Sequence, residues 1–181
     1  MRAFLIVDLQ NDFLPGGALP AAGGNEIIPL INLLQNHFKL IVASKDCHPA
    51  DTIHFRKWPV HCIEGSYGAD FPKDLNQDKI EQEFLKGTRN IDDGYSAFEA
   101  TNFQLGEYLK QKGVDEIVIA GLTTEYCVKN TVLDALQSGF KTFVVKDAVA
   151  AVNAFPGEEE KAWDEMEKAG AVIISHRQIT G

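Results

Sequence analysis

The sequence predicts an α/β fold: a doubly wound, six-stranded, mainly parallel sheet with helices on both faces, forming a single domain over residues 1–181. Three observations support this. Short apolar runs of strand length alternate with segments of helical period, the pattern of successive βαβ units with right-handed crossovers. The runs are almost continuously apolar rather than alternating, as expected of parallel strands covered on both faces. A chain of 181 residues is long enough to bury one substantial core, and it contains no internal repeat, low-complexity tract or linker that would divide it.

Taken in order, Phe4 to Val7 is the first strand, a continuous apolar run that ends at Asp8. The turn-rich stretch Leu9 to Gly17 follows as a loop. Glu26 to Phe38 carries Ile27, Ile28, Leu30, Ile31, Leu33 and Leu34, the apolar face of a helix laid on the sheet. Leu40 to Ser44 is the second strand. Residues 45–81 have little periodicity and contain His48, His54 and His61; loops of that length inside a compact domain are usually functional. Glu83 to Lys86 is a short third strand. Residues 98–113 are expected to form a helix stopped at Gly113, and Glu116 to Ala120 the fourth strand. Val128 to Gly139 has helical spacing at Val128, Thr131, Val132, Ala135 and Leu136. Thr142 to Val145 is the fifth strand, followed by Asp147 to Ala150. An acidic-fronted helix from Glu158 to Ala169 closes at Gly170, and Ala171 to Ser175 is the sixth strand.

The overall composition narrows the function class. A net charge of −9 argues against nucleic acid and against anionic membrane surfaces as partners. The N-terminal apolar run is too short for a signal sequence, and no run approaches a membrane span. Three cysteines match no disulfide framework. These features point to a cytoplasmic protein acting on a small molecule; assembly into homo-oligomers stays open.

Ligands of such sheets bind beyond the carboxyl ends of the strands. Asp8, Asp46, Lys86 and Cys127 all fall at strand ends, so a parallel sheet would gather them on one edge. Cys127 is expected in the first turn of a helix leaving the fourth strand. There the helix N-terminus would favour thiolate and free N–H groups could hold an oxyanion. An acid, a lysine and a thiol suffice for nucleophilic acyl chemistry. Taken singly, each has a bland alternative: a loop acid, a solvated amine, a buried structural thiol.

A second cluster lies in the long loop. Asp46, His48, His54 and His61 are four metal-ligand side chains within sixteen positions. Asp46 and His48 share a face of an extended stretch. Imidazole and carboxylate together suit Zn²⁺, Fe²⁺ or Mn²⁺. Cys47 should point away from this pair, and Cys62 reads as core.

Together, Asp8-Leu-Gln-Asn-Asp-Phe13, Asp46-x-His48 with His54 and Trp58-Pro-Val-His61-Cys62, Lys86-Gly87, and Gly121-Leu-Thr-Thr-Glu-Tyr-Cys127 resemble the nicotinamidase/pyrazinamidase family of isochorismatase-like cysteine hydrolases. The resemblance implies a catalytic set of Asp8, Lys86 and Cys127, with an oxyanion hole from the N–H groups of Thr123 and Cys127. It implies a cis peptide between Leu122 and Thr123. It also implies one divalent metal, zinc foremost with iron or manganese as alternatives, on Asp46, His48, His54 and His61. Phe13, Trp58, Tyr95, Leu122 and Tyr126 would line the substrate pocket, Tyr126 standing where the family sometimes has histidine. The implied activity is hydrolysis of nicotinamide to nicotinate and ammonia in NAD salvage, with pyrazinamide as a further substrate. The rival reading is a superfamily amidohydrolase acting on a non-aromatic amide or ureido compound, without the metal. A non-catalytic binding protein on the same scaffold would leave Cys127 with an ordinary thiol pKa of about 8.5.

Overall fold

The structure, a computed structural model, describes all residues from 1 to 181. Six strands form one sheet: β1 (Arg2–Val7), β2 (Ile41–Asp46), β3 (Gln82–Lys86), β4 (Glu116–Leu122), β5 (Lys141–Ala150) and β6 (Val172–Ile174). Their order across the sheet is β3-β2-β1-β4-β5-β6, and every adjacent pair is parallel. The helices are α1 (Gly24–Leu34), α2 (Leu105–Gln111), α3 (Lys129–Gln137), α4 (Glu158–Ala169) and a short α5 (Arg177–Thr180).

Side-chain alternation along the central strands divides the core into two layers. Phe4, Ile6, Val118, Ala120 and Leu122 pack with Ile27, Ile28, Ile31 and Leu34 of α1. Ala3, Leu5, Val7, Ile117 and Ile119 pack on the other face with Leu105 and Leu109 of α2, Val132 and Ala135 of α3, and Met166 of α4. Both faces of β1 and β4 are therefore covered, which is why these strands are continuously apolar in sequence. No helix is long and apolar enough to cross a membrane.

The helix expected over 98–113 is shorter than its pattern. Only Leu105–Gln111 is α-helical, preceded by a single turn at Ala97–Glu99. The residues between them serve the free edge of β3 instead. Thr101 N–H donates to the Leu85 carbonyl, and the Asn102 side chain accepts from Leu85 N–H and donates to the Glu83 carbonyl. Capping an exposed strand edge outweighs helix propensity here. The two short runs expected at 142–145 and 147–150 are one strand, β5, with a register shift against β4 between Ile119 and Gly121.

The sheet order reverses between β1 and β4, so the crevice for a ligand opens beyond their ends. Gly121 sets how closely the two strands approach. Its φ is +122°, and a Cβ there would lie 2.0 Å from the Val7 carbonyl oxygen, so only glycine fits. After β2, the long loop is held by buried polar groups. The Gln10 side chain accepts from Asp46 N–H and donates to the Asp46 and Ala69 carbonyls, each at 2.8 Å. Asp12 accepts from Cys62 N–H at 2.7 Å.

Candidate active site

Asp8 follows β1, Asp46 and Lys86 are the last residues of β2 and β3, and Cys127 lies in the turn after β4; in the parallel sheet all four meet. Lys86 is completely buried and is the hub. Its ammonium lies 2.7 Å from Asp8 Oδ2 and 2.5 Å from Asp46 Oδ1. It also donates to the Gly94 carbonyl at 2.5 Å and reaches Cys127 Sγ at 3.5 Å. Asp8 accepts a further hydrogen bond from the Ser44 hydroxyl at 2.7 Å. Oxygen atoms of Asp8 and Asp46 and the Cys127 sulfur lie within 4.8 Å of one another.

Burial and mutual charge set the protonation of this cluster. Burial pushes the Asp8 carboxyl up, with the Asp46 charge adding to it, against the downward pull of Lys86. Burial alone would raise Asp46 as well, but Lys86 and the imidazoles of His48 and His61 hold it well below the usual carboxylate range. Burial opposes the charge of Lys86, yet the two carboxylates keep it protonated far above the ordinary lysine value. Cys127 departs from the sequence expectation. Burial pushes its thiol well up, Lys86 pulls it down, and Asp8 and Asp46 push it up again. Desolvation and the two anions together outweigh the pull of the helix N-terminus and of Lys86 toward thiolate. A thiol of ordinary or raised pKa therefore no longer separates a catalytic from a non-catalytic protein.

Cys127 sits in a wide π-helical turn, Thr124–Val128, that runs straight into α3. Val128 N–H bonds the Thr123 carbonyl five residues back. The peptide between Leu122 and Thr123 is cis.

On the opposite wall three imidazoles converge. His48 and His54 stack with centroids 4.5 Å apart, and His61 lies 5.0 Å from His48 and 5.6 Å from His54. Each Nδ1 has its own oxygen: Gly87 carbonyl for His48 at 2.9 Å, Asp92 Oδ1 for His54 at 2.9 Å, Pro59 carbonyl for His61 at 2.7 Å. With Nδ1–H donating, every Nε2 is left as a lone pair. Ring nitrogens of the three lie within 4.8 Å of one another. Burial holds His54 and His61 below the usual histidine range, in the neutral form a metal requires. Asp46 Oδ2 lies 3.8 Å from His48 Nε2 and 3.9 Å from His61 Nε2, too far for a hydrogen bond but placed to share an ion with them. His48 Nε2 is buried with no partner. An orphaned buried acceptor beside two more imidazoles and a carboxylate fits a divalent metal.

Between the two walls lies a pocket lined by Asp46, His54, His61, Thr123, Cys127, Phe13, Trp58, Tyr95, Tyr126, Leu19 and Gly94. Tyr126 meets Trp58 edge-on at 4.8 Å, and its hydroxyl is turned to Glu158 at 2.6 Å.

The isochorismatase domain family model matches residues 2–178. The chain belongs to the isochorismatase family. Within that family it is 37% identical to a nicotinamidase of Escherichia coli over 96% of this chain and 94% of that one. The Acinetobacter baumanii nicotinamidase/pyrazinamidase superposes with a TM-score of 0.92 at 36% identity, covering 98% of this chain and 97% of the other. The pyrazinamidase of Pyrococcus horikoshii, solved in complex with zinc, gives 0.86 at 41% identity over 96% and 98%.

In this isochorismatase-family chain the structure brings together all but one of the residues singled out from the sequence. Leu122 is the exception: it is fully buried among the α1-side core residues and does not line the pocket. It alternates with Gly121 at the end of β4 and points through the sheet away from Cys127. Cys62 is core as expected, and Cys47 is half-buried. Leu19, Gly94 and Asp92 were not singled out. None has a periodic or motif signal; each reaches the site through a loop whose path the sequence does not reveal.

Proposed function

We propose that this chain is a metal-dependent amidase that hydrolyses nicotinamide to nicotinate and ammonia, the chemistry of NAD salvage, and that it also takes pyrazinamide. The observation that carries this reading is the placement of Cys127, Lys86 and Asp8 across one aromatic-walled pocket from three imidazole lone pairs. The similarity to a nicotinamidase at 37% identity and to a nicotinamidase/pyrazinamidase at a TM-score of 0.92 supports the same reading.

Cys127 rests as a neutral thiol, so its proton leaves as the carbon–sulfur bond forms. Asp8 is the base that takes it, and its raised pKa narrows the mismatch between a carboxylate and a thiol. Lys86, 3.5 Å from the sulfur, stabilises the charge that develops there. The N–H groups of Thr123 and Cys127 receive the carbonyl oxyanion. As the carbon–nitrogen bond breaks, Asp8 returns the proton to the departing nitrogen, giving ammonia and a thioester. Asp8 then takes a proton from the water that cleaves the thioester and passes it to the departing Cys127 sulfur, which restores the thiol and releases nicotinic acid to ionise as nicotinate. Phe13, Trp58, Tyr95 and Tyr126 hold the ring and exclude bulk water. A divalent ion on Asp46, His48, His54 and His61, zinc foremost and iron or manganese as alternatives, would supply a Lewis acid that grips the pyridine nitrogen.

Ammonia release from nicotinamide, measured with and without a chelator, tests the reading. Nicotinamide should be turned over and the chelator should suppress it, while benzamide, which lacks the ring nitrogen, should react slower by on the order of 100-fold. Equal turnover of both amides, or full activity without metal, overturns the assignment. An amidohydrolase for non-aromatic amides would instead be metal-free on elemental analysis.

A further inference from the structure

We infer that Asp92 is a positioning residue that sets two walls of the pocket at once: it fixes the tautomer of His54 and anchors the aromatic pair Tyr95–Trp58. The inference rests on the metal site proposed above and extends it to a side chain outside the ligand set and outside the pocket lining.

Asp92 lies on the loop after β3, and its carboxylate is the meeting point of three donors. Oδ1 accepts from His54 Nδ1 at 2.9 Å and from the Tyr95 hydroxyl at 2.7 Å. Oδ2 accepts from Lys57 Nζ at 3.2 Å. The Tyr95 oxygen, its own proton given to Asp92, accepts in turn from Trp58 Nε1 at 3.0 Å. The run from His54 through Asp92 and Tyr95 to Trp58 is therefore continuous, and His54, Tyr95 and Trp58 all face the pocket.

A neutral imidazole carries one proton shared between two nitrogens, and the stronger local acceptor decides which nitrogen has it. Asp92 keeps that proton on Nδ1 and directs the Nε2 lone pair toward His48 and His61. Without it, His54 is free to carry the proton on Nε2, which would turn an N–H toward the other two imidazoles and remove one metal ligand. The Asp92 side chain is 38% exposed, so its ion pair with Lys57 contributes little stability; its importance is directional. Without Asp92, Tyr95 also loses the acceptor for its hydroxyl, and its grip on the Trp58 indole loosens.

Three variants test this with zinc itself as the probe. Asp92→Ala should weaken zinc binding, measured by chelator competition on metal-free protein, by about 10- to 100-fold. It should also raise the KM for nicotinamide when zinc is saturating. Tyr95→Phe keeps the His54–Asp92 bond and cuts the tie to Trp58, so KM should rise with zinc affinity unchanged. Lys57→Ala, which leaves both bonds to Oδ1, should leave zinc affinity unchanged. Thermal unfolding of the metal-free forms checks that each is folded, and Asp92→Ser replaces the alanine form if that one does not fold. Wild-type zinc affinity in Asp92→Ala, or equal loss of zinc in Tyr95→Phe, overturns the inference. Failure of the wild-type protein to bind zinc overturns the metal site instead, so the two failures are distinguishable.

Discussion

Lys86 shows what a single buried residue does in this fold. Its ammonium contacts both Asp8 and Asp46, and both carboxylates are buried beside it. Replacing it with methionine keeps the volume but leaves the buried Asp8 carboxylate without its only ion-pair partner. Lys86→Met should therefore cost about 3–5 kcal/mol of stability as well as activity, read from urea unfolding; a loss below about 1 kcal/mol would show the cluster to be solvated. Cys127 supplies a second test at this scale. Because burial and two neighbouring carboxylates raise its pKa, alkylation by iodoacetamide in the absence of substrate should keep rising with pH beyond about 8.5, the ordinary thiol value. A plateau near neutral pH would mean a preformed thiolate. The residue identities were legible from the sequence, since Asp8, Lys86 and Cys127 each follow or end an apolar run. The direction of the thiol shift was not, because it depends on burial and on Asp8 and Asp46 outweighing Lys86, all set by groups far from Cys127 in the chain.

Among the elements, β4 and the turn after it do most to place the chemistry. Gly121 lets β4 lie against the end of β1, bringing Asp8 to the turn that carries Cys127. Gly121→Ala would force a Cβ to within 2.0 Å of the Val7 carbonyl at φ +122°. It should destabilise the protein by about 1–3 kcal/mol or more and lower activity further by moving Asp8 relative to Cys127; thermal unfolding together with nicotinamide turnover checks this. The same alanine at Gly139, which touches nothing within 4 Å but shares a positive φ of +87°, separates backbone strain from collision. Strands and helices were readable from apolar period, and their limits were not. Residues 100–104 have a helical pattern but serve the edge of β3, a partner that becomes apparent only once the sheet is assembled. Likewise, Leu122 belongs to the core because strand alternation turns it away from the pocket, although the nucleophile lies only five positions further on.

At the scale of the molecule, the pH dependence of unfolding reports how charge has been buried. Glu125, 2% exposed, accepts from Asn153 N–H at 2.7 Å through one oxygen while the other has no partner. Burial raises its carboxyl, against the pull of nearby backbone N–H groups. A raised folded pKa favours the native state below the ordinary carboxylate range, and that contribution is lost as pH rises through the folded value. Glu125→Gln removes the buried charge and keeps an acceptor for Asn153, so its melting temperature should gain on the wild type from about pH 4 to pH 8. A difference that shrinks with rising pH would contradict the sign. By itself the sequence determined the α/β class, the strand sequence, the chemical parts at the strand ends and the ligand-rich loop, because apolar period and local motifs are written in neighbouring residues. Only the tertiary structure decided which way the Cys127 thiol shifts, which imidazole nitrogen faces inward, that Leu122 leaves the pocket, and that Asp92 joins His54 to Tyr95. Each of these depends on desolvation or hydrogen bonds between groups far apart in sequence, and such contacts exist only after the chain has folded.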